Sequence, residues 1–83
     1  MTISEMQTLK NSILEYAQAR KKASERSVPQ GKDRSPVFGT SQVQDWVDLF
    51  VEFDVWSGDL YEAIRELKKE NLLVDARLGW SAP

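Results

Sequence analysis

The stretch from Trp56 to Leu73, WSGDLYEAIRELKKENLL, places Leu60, Ala63, Ile64 and Leu67 at spacings of three and four. Those residues share one face of an α-helix, and the rest of the chain must supply an apolar surface for that face to cover. Ser57 is expected to cap the first turn, with Asp59 well placed against the positive end of the helix dipole. Asn71 suits a left-handed position just past the helix, and Leu72 beyond it fits a Schellman-type stop against Leu67. A chain of 83 residues has room for one small domain, and such a domain buries only about 60% of the surface its unfolded form exposes. Every helix must therefore serve the same core.

A second amphipathic stretch opens the chain. Met6, Leu9, Ile13 and Tyr16/Ala17 recur at helical spacing, and either Thr2 with Glu5 or Ser4 with Gln7 can form a capping box. The helix is expected from about Ile3 to Arg20 or beyond, within a segment 1–26. The run SVPQGKDRSPVFGT, Ser27 to Thr40, reads as a long flexible loop, with Val37 and Phe38 pinning its far end to the core. The next segment, SQVQDWVDLFVEFDVW, has two readings. Val43, Trp46, Val47 and Phe50 fit a helical face after a Thr40 or Ser41 cap, whereas Val51, Phe53 and Val55 alternate with acids as a strand does. A helix over about Ser41 to Phe53 is favoured, because a strand has no evident partner. The end, LLVDARLGWSAP, suggests a short strand, a turn at Gly79 and a tail ending on Trp80. The expected fold is mainly α: a small three-helix domain over 1–83, with a long basic loop after helix 1 (27–40) and a helix pair plus extended tail over 41–83, the tail holding a short C-terminal β segment.

The chain has no Cys and no His. Disulfides and thiolate metal sites are thereby excluded, along with the commonest metal ligand and the commonest general base near neutral pH. Ser, Thr and Tyr have no evident activating base. The carboxylates lack the rhythm of a calcium loop, and the four glycines stand singly, not in a phosphate loop. The expectation is a protein that is not an enzyme and has no cofactor and no metal. No apolar run approaches the roughly 20 residues that span a bilayer, and MTISEMQTLK lacks the layout of a signal peptide, so a soluble cytoplasmic protein is expected.

Charge is divided along the chain. Residues 20–34 hold Arg20, Lys21, Lys22, Arg26, Lys32 and Arg34 against two acids, whereas residues 35–83 hold nine acids against four bases. The basic connector either lies over the acidic half or offers a handle to a partner. Among the three tryptophans, Trp46 reads as core and Trp56 as a staple residue before a helix. Trp80 is open between folding back on the domain and anchoring in a partner's pocket. On the 56–73 helix, Tyr61, Arg65 and Lys68 share one stripe beside the apolar face. That stripe is either an ordinary charged face or a surface that meets phosphates and base edges.

The order of a helix, a tight polar turn and then LYEAIRELKKENLL with a short extended tail resembles winged-helix transcription regulators of the PadR or MarR type. The resemblance covers about Val43 to Leu78 and rests on the generic pattern LxxAIxxLxxxxLL. It implies that SGDLYEAIRELKKENLLV is a recognition helix leading into a wing, with Ser57, Tyr61, Arg65, Lys68 and Arg77 near DNA. Two functions are thus expected in order. The first is a non-catalytic module, adaptor or inhibitor that binds another protein through Trp80, Trp56, Tyr61, Arg65 and Lys68, in the manner of bacteriophage-encoded modulators of host machinery. The second is a winged-helix-like DNA-binding regulator. Pairing of the first helix with a second copy is a further expectation, since homo-oligomers add core to an undersized domain.

Overall fold

The computed structural model describes residues 1–25 and 36–83. Helix α1 spans Ile3–Glu25, α2 spans Thr40–Phe50 and α3 spans Ser57–Lys69. A two-stranded antiparallel sheet follows, β1 Val74–Ala76 and β2 Gly79–Ser81, in the register Val74↔Ser81, Asp75↔Trp80, Ala76↔Gly79. The domain is mainly helical, as the amphipathic spacings require.

The α1 start is a reciprocal cap. Thr2 N donates to Glu5 Oε1 at 2.9 Å and Glu5 N donates to Thr2 Oγ1 at 3.1 Å, which satisfies two of the donors a helix leaves open. The Thr2 main-chain N–H, first among the causes, holds the exposed Glu5 carboxyl below its usual range. The end of α3 is a Schellman stop. Asn71 takes φ 61°, Asn71 N donates to Lys68 O, and Leu72 N donates to Leu67 O at 2.9 Å.

The core is one cluster drawn from all three helices and the segments that flank them. Leu9, Ile13 and Ala17 of α1 meet Val43 and Val47 of α2, Leu60, Ala63, Ile64 and Leu67 of α3, and Leu73 after it. Phe38, between α1 and α2, is fully buried with its ring edge-on to Tyr16 at 5.2 Å. Its backbone forms an antiparallel bridge to β2: Phe38 N donates to Trp80 O at 2.9 Å, and Trp80 N donates to Phe38 O at 3.0 Å. The extended Phe38 segment thus becomes a third rung on the hairpin.

Several local expectations are corrected. The cap of α2 is Gly39, not Thr40 or Ser41; Gly39 N donates to Gln42 Oε1 at 2.7 Å, and the Thr40 hydroxyl is instead 3.0 Å from that of Tyr61. Helix α2 stops at Phe50, three residues before the expected Phe53, because Val51 is already extended (φ −103°, ψ 131°). The alternation after it is real without being a strand: Val51, Phe53 and Val55 are half-buried against the core while Glu52 and Asp54 face solvent. Phe50, at the helix end, is 62% exposed and rests on Trp46 at 4.3 Å. The α3 cap is Trp56, with Ser57 already inside the helix. Trp56 staples nothing; it is 71% exposed, its indole lying over Gly58, where a Cβ would stand 3.1 Å from the ring. The hairpin turn is Arg77–Leu78, and Gly79 belongs to β2. Arg20, Lys21 and Lys22 are helical residues of α1, not loop residues. Arg26, Lys32, Arg34 and most of the expected 27–40 loop lie outside the described residues.

One ion pair at the edge of this core has a measurable consequence. The Lys10 side chain is only 9% exposed, and its Nζ lies 2.8 Å from Glu70 Oε1 at the end of α3. Removing Glu70 strands a nearly buried ammonium, whereas replacing Lys10 by Met keeps the volume and removes the charge. Glu70→Ala is therefore expected to lower unfolding free energy by about 1–2 kcal/mol, and Lys10→Met by clearly less, in urea denaturation at pH 7. The hydrogen bond to Glu70, first among the causes, raises the Lys10 pKa above its usual 10.5. A raised folded-state pKa means that this stabilisation is fully present below pH 10.5 and is lost as pH climbs through the folded value. Lys10→Met should accordingly flatten the alkaline loss of stability; equal slopes in the two proteins would refute the pairing.

Candidate binding groove

Four of the five residues expected to meet a partner come together beside the hairpin. Tyr61, Arg65 and Lys68 lie along one edge of α3 because their spacings of four and three return to the same side. Trp80 reaches that edge because its backbone is held to Phe38 on one side and, through the register Asp75↔Trp80, to β1 on the other. Tyr61, Ile64, Arg65, Lys68 and Trp80 line one shallow groove. Its floor is the buried Ile64; its walls are Tyr61 and Trp80, edge-on with centroids 6.1 Å apart. Trp80 folds back on its own domain, half-buried beside Phe38 at 6.4 Å. Its ring system therefore borders both the core and the groove. Trp56 is not part of this groove.

The rim is cationic. Arg65 is exposed and has no ion-pair partner among the described residues; Lys68 Nζ lies 2.9 Å from Asp75 Oδ1 of β1. That pair is open to water, with side-chain exposures of 34% and 74%, so it contributes little and a carboxylate from elsewhere can displace Asp75. The opposite edge of α3, facing α1, is acidic: Asp59, Glu62 and Glu66 border a second depression with Met1, Ile3 and Lys10, and Glu70 holds Lys10. Helix α3 thus sets Arg65 and Lys68 beside the hairpin and Asp59, Glu62 and Glu66 beside α1.

At the hairpin tip Arg77 is exposed, and Leu78 is 91% exposed with φ 70°. Leucine in the left-handed region costs about 1–2 kcal/mol. Nothing in the sequence analysis singled out Leu78; the only signal was an apolar residue directly before Gly79 in a two-residue turn. Among the described residues, no group of three acidic side chains could hold a metal ion, and no helix is long and apolar enough to cross a membrane.

In comparisons with family models, curated proteins and solved structures, none matches this chain. The groove must be interpreted on its own chemistry. Two aromatic walls over an aliphatic floor are suited to a flat or apolar side chain, and two cations on one helix are suited to carboxylates beside it.

Proposed function

We propose that this protein is a non-catalytic module that binds another protein, as an adaptor or inhibitor, by seating an acidic segment in the α3–hairpin groove. The observation that carries this reading is the meeting of Tyr61 and Trp80 at 6.1 Å over Ile64, with Arg65 and Lys68 on the rim. Aromatic and arginine side chains are the types that dominate protein interfaces. The acids along the other edge of α3 favour a protein over a nucleic acid, since affinity for DNA depends on neutralising phosphates.

A second reading, a winged-helix-like DNA-binding regulator, has one specific observation in its favour. Helix α3 passes through its Schellman stop straight into a hairpin, as a recognition helix leads into a wing, and Phe38 makes a single antiparallel bridge to that hairpin. In this reading Ser57, Tyr61, Arg65, Lys68 and Arg77 approach the duplex.

The two are separated by one pair of proteins, wild type and Arg65→Glu/Lys68→Glu. Fluorescence anisotropy against mixed-sequence duplex DNA at low and physiological salt is expected to give no binding at micromolar protein. As baits in a pull-down, the wild type should retain a protein that the variant loses at least tenfold. Salt-sensitive DNA binding abolished in the variant would overturn the first reading in favour of the second.

A further inference from the structure

A different surface combines exposed apolar side chains with acidic ones. Leu49, Phe50 and Trp56 are 78%, 62% and 71% exposed, and they cluster in sequence at the corner where α2 ends and α3 begins. Trp56 borders a depression lined also by Asp48, Val51, Glu52, Phe53, Asp54 and Val55, which shares no residue with the α3–hairpin groove. Val51 continues this depression into a neighbouring one, where Phe50 and Trp46 meet Glu15 of α1. Trp46 is tied down there, its Nε1 donating to Ser12 Oγ at 3.0 Å. The corner is therefore an apolar surface held on fixed elements.

Its electrostatics are of one sign. From residue 36 to residue 64 there is no Lys or Arg, and there are six acids: Asp45, Asp48, Glu52, Asp54, Asp59 and Glu62. Asp48, Glu52, Asp54 and Glu15 are the charged groups that line the two depressions. A second copy of this chain is a poor occupant. A two-fold contact would set the same patch against itself and bring these carboxylates face to face. Phosphate-bearing surfaces are repelled for the same reason. What complements the corner is an apolar segment flanked by positive charge.

We infer that the α2–α3 corner, with Leu49, Phe50, Val51 and Trp56 rimmed by Asp48, Glu52 and Asp54, docks a basic amphipathic segment of a partner protein. The exposed aromatics supply apolar contact, and the acids supply orientation and a fast approach. Together with the cationic groove, the corner gives the molecule two surfaces of opposite sign, as a bridge between two partners requires.

The test uses a labelled 18-residue Leu/Lys amphipathic helix as probe, with a Leu/Glu counterpart and a Lys/Ser peptide of equal charge. Wild-type protein is expected to bind Leu/Lys with micromolar affinity, at least tenfold tighter than Lys/Ser, and to ignore Leu/Glu. Trp56→Ala and Glu52→Lys/Asp54→Lys should each weaken Leu/Lys binding at least tenfold, and Arg65→Glu should leave it unchanged. Leu49→Ser replaces Trp56→Ala if circular dichroism finds that variant unfolded. No binding of Leu/Lys, equal binding of Lys/Ser, or binding indifferent to the corner substitutions each overturns the inference. So does a dimer in sedimentation equilibrium that Trp56→Ala dissolves, which would make the occupant a second copy. Because Arg65 belongs to the groove alone, failure at the corner leaves the groove reading standing, and the reverse.

Discussion

Replacing Gly79 by alanine is expected to break the link between the hairpin and the helical core. Gly79 opens β2, and its Cα passes directly beside the main chain of Phe38. A Cβ added there would press on the Phe38 carbonyl oxygen, lie 2.9 Å from the carbonyl carbon and 3.3 Å from Val37 Cγ1. Backbone cannot swing away as a side chain can, so the strand itself must retreat. That retreat removes the two hydrogen bonds between Phe38 and Trp80, at about 1 kcal/mol each, and loosens the packing of the Phe38 ring. The total should reach about 3 kcal/mol, against about 4–12 kcal/mol for a domain of this length. Urea denaturation measures it directly. An alanine variant as stable as wild type would mean that the Phe38 segment does not approach the hairpin this closely. The requirement is for proximity; the turn itself lies at Arg77–Leu78.

Phe38→Ala should be the most damaging single truncation in the molecule. The ring is 0% exposed and sits between Tyr16, edge-on at 5.2 Å, and Trp80 at 6.4 Å. Removing it loses the transfer energy of the ring and leaves a cavity that three elements cannot easily close, a loss of about 3–5 kcal/mol. In a domain of this size that corresponds to a melting temperature lower by roughly 12–40 °C, or to no folded state at all. Phe50→Ala removes the same atoms from a position 62% exposed and should fall within about 1 kcal/mol of wild type. Comparable losses at the two sites would contradict the core described above. Far-UV circular dichroism during thermal unfolding distinguishes the outcomes.

What could be read from the chain divides along a physical line. The faces of α1 and α3 were legible because helical period fixes which side chains meet. Leu9, Ile13 and Ala17, like Leu60, Ala63, Ile64 and Leu67, are buried where that spacing puts them. The Thr2–Glu5 box and the Asn71 stop were legible because each is decided within six residues. Long-range geometry was not legible. The bridge between Phe38 and Trp80 joins positions 42 apart, and no local pattern signals it; the glycine beside Trp80 reads as a turn. The cap at Gly39 escaped because the nearby hydroxyl of Thr40 engages Tyr61, a partner on another helix. The stripe Tyr61–Arg65–Lys68 followed from helical period, whereas its junction with Trp80 depended on that same bridge.

Trp80 belongs both to the groove and to the closure of the fold, so under the proposed function occupancy would be coupled to folding. Its side chain lines the proposed binding groove while its main chain clasps Phe38. A segment seated against Trp80 binds the native chain and not the unfolded one, so by mass action it adds about 2.7 kcal/mol at a hundredfold excess over Kd. That addition is a sizeable fraction of what a domain this small possesses. In a cell, the survival of the protein against proteolysis would then follow the supply of its partner: copies left alone open more often and are cleared, and copies in complex persist.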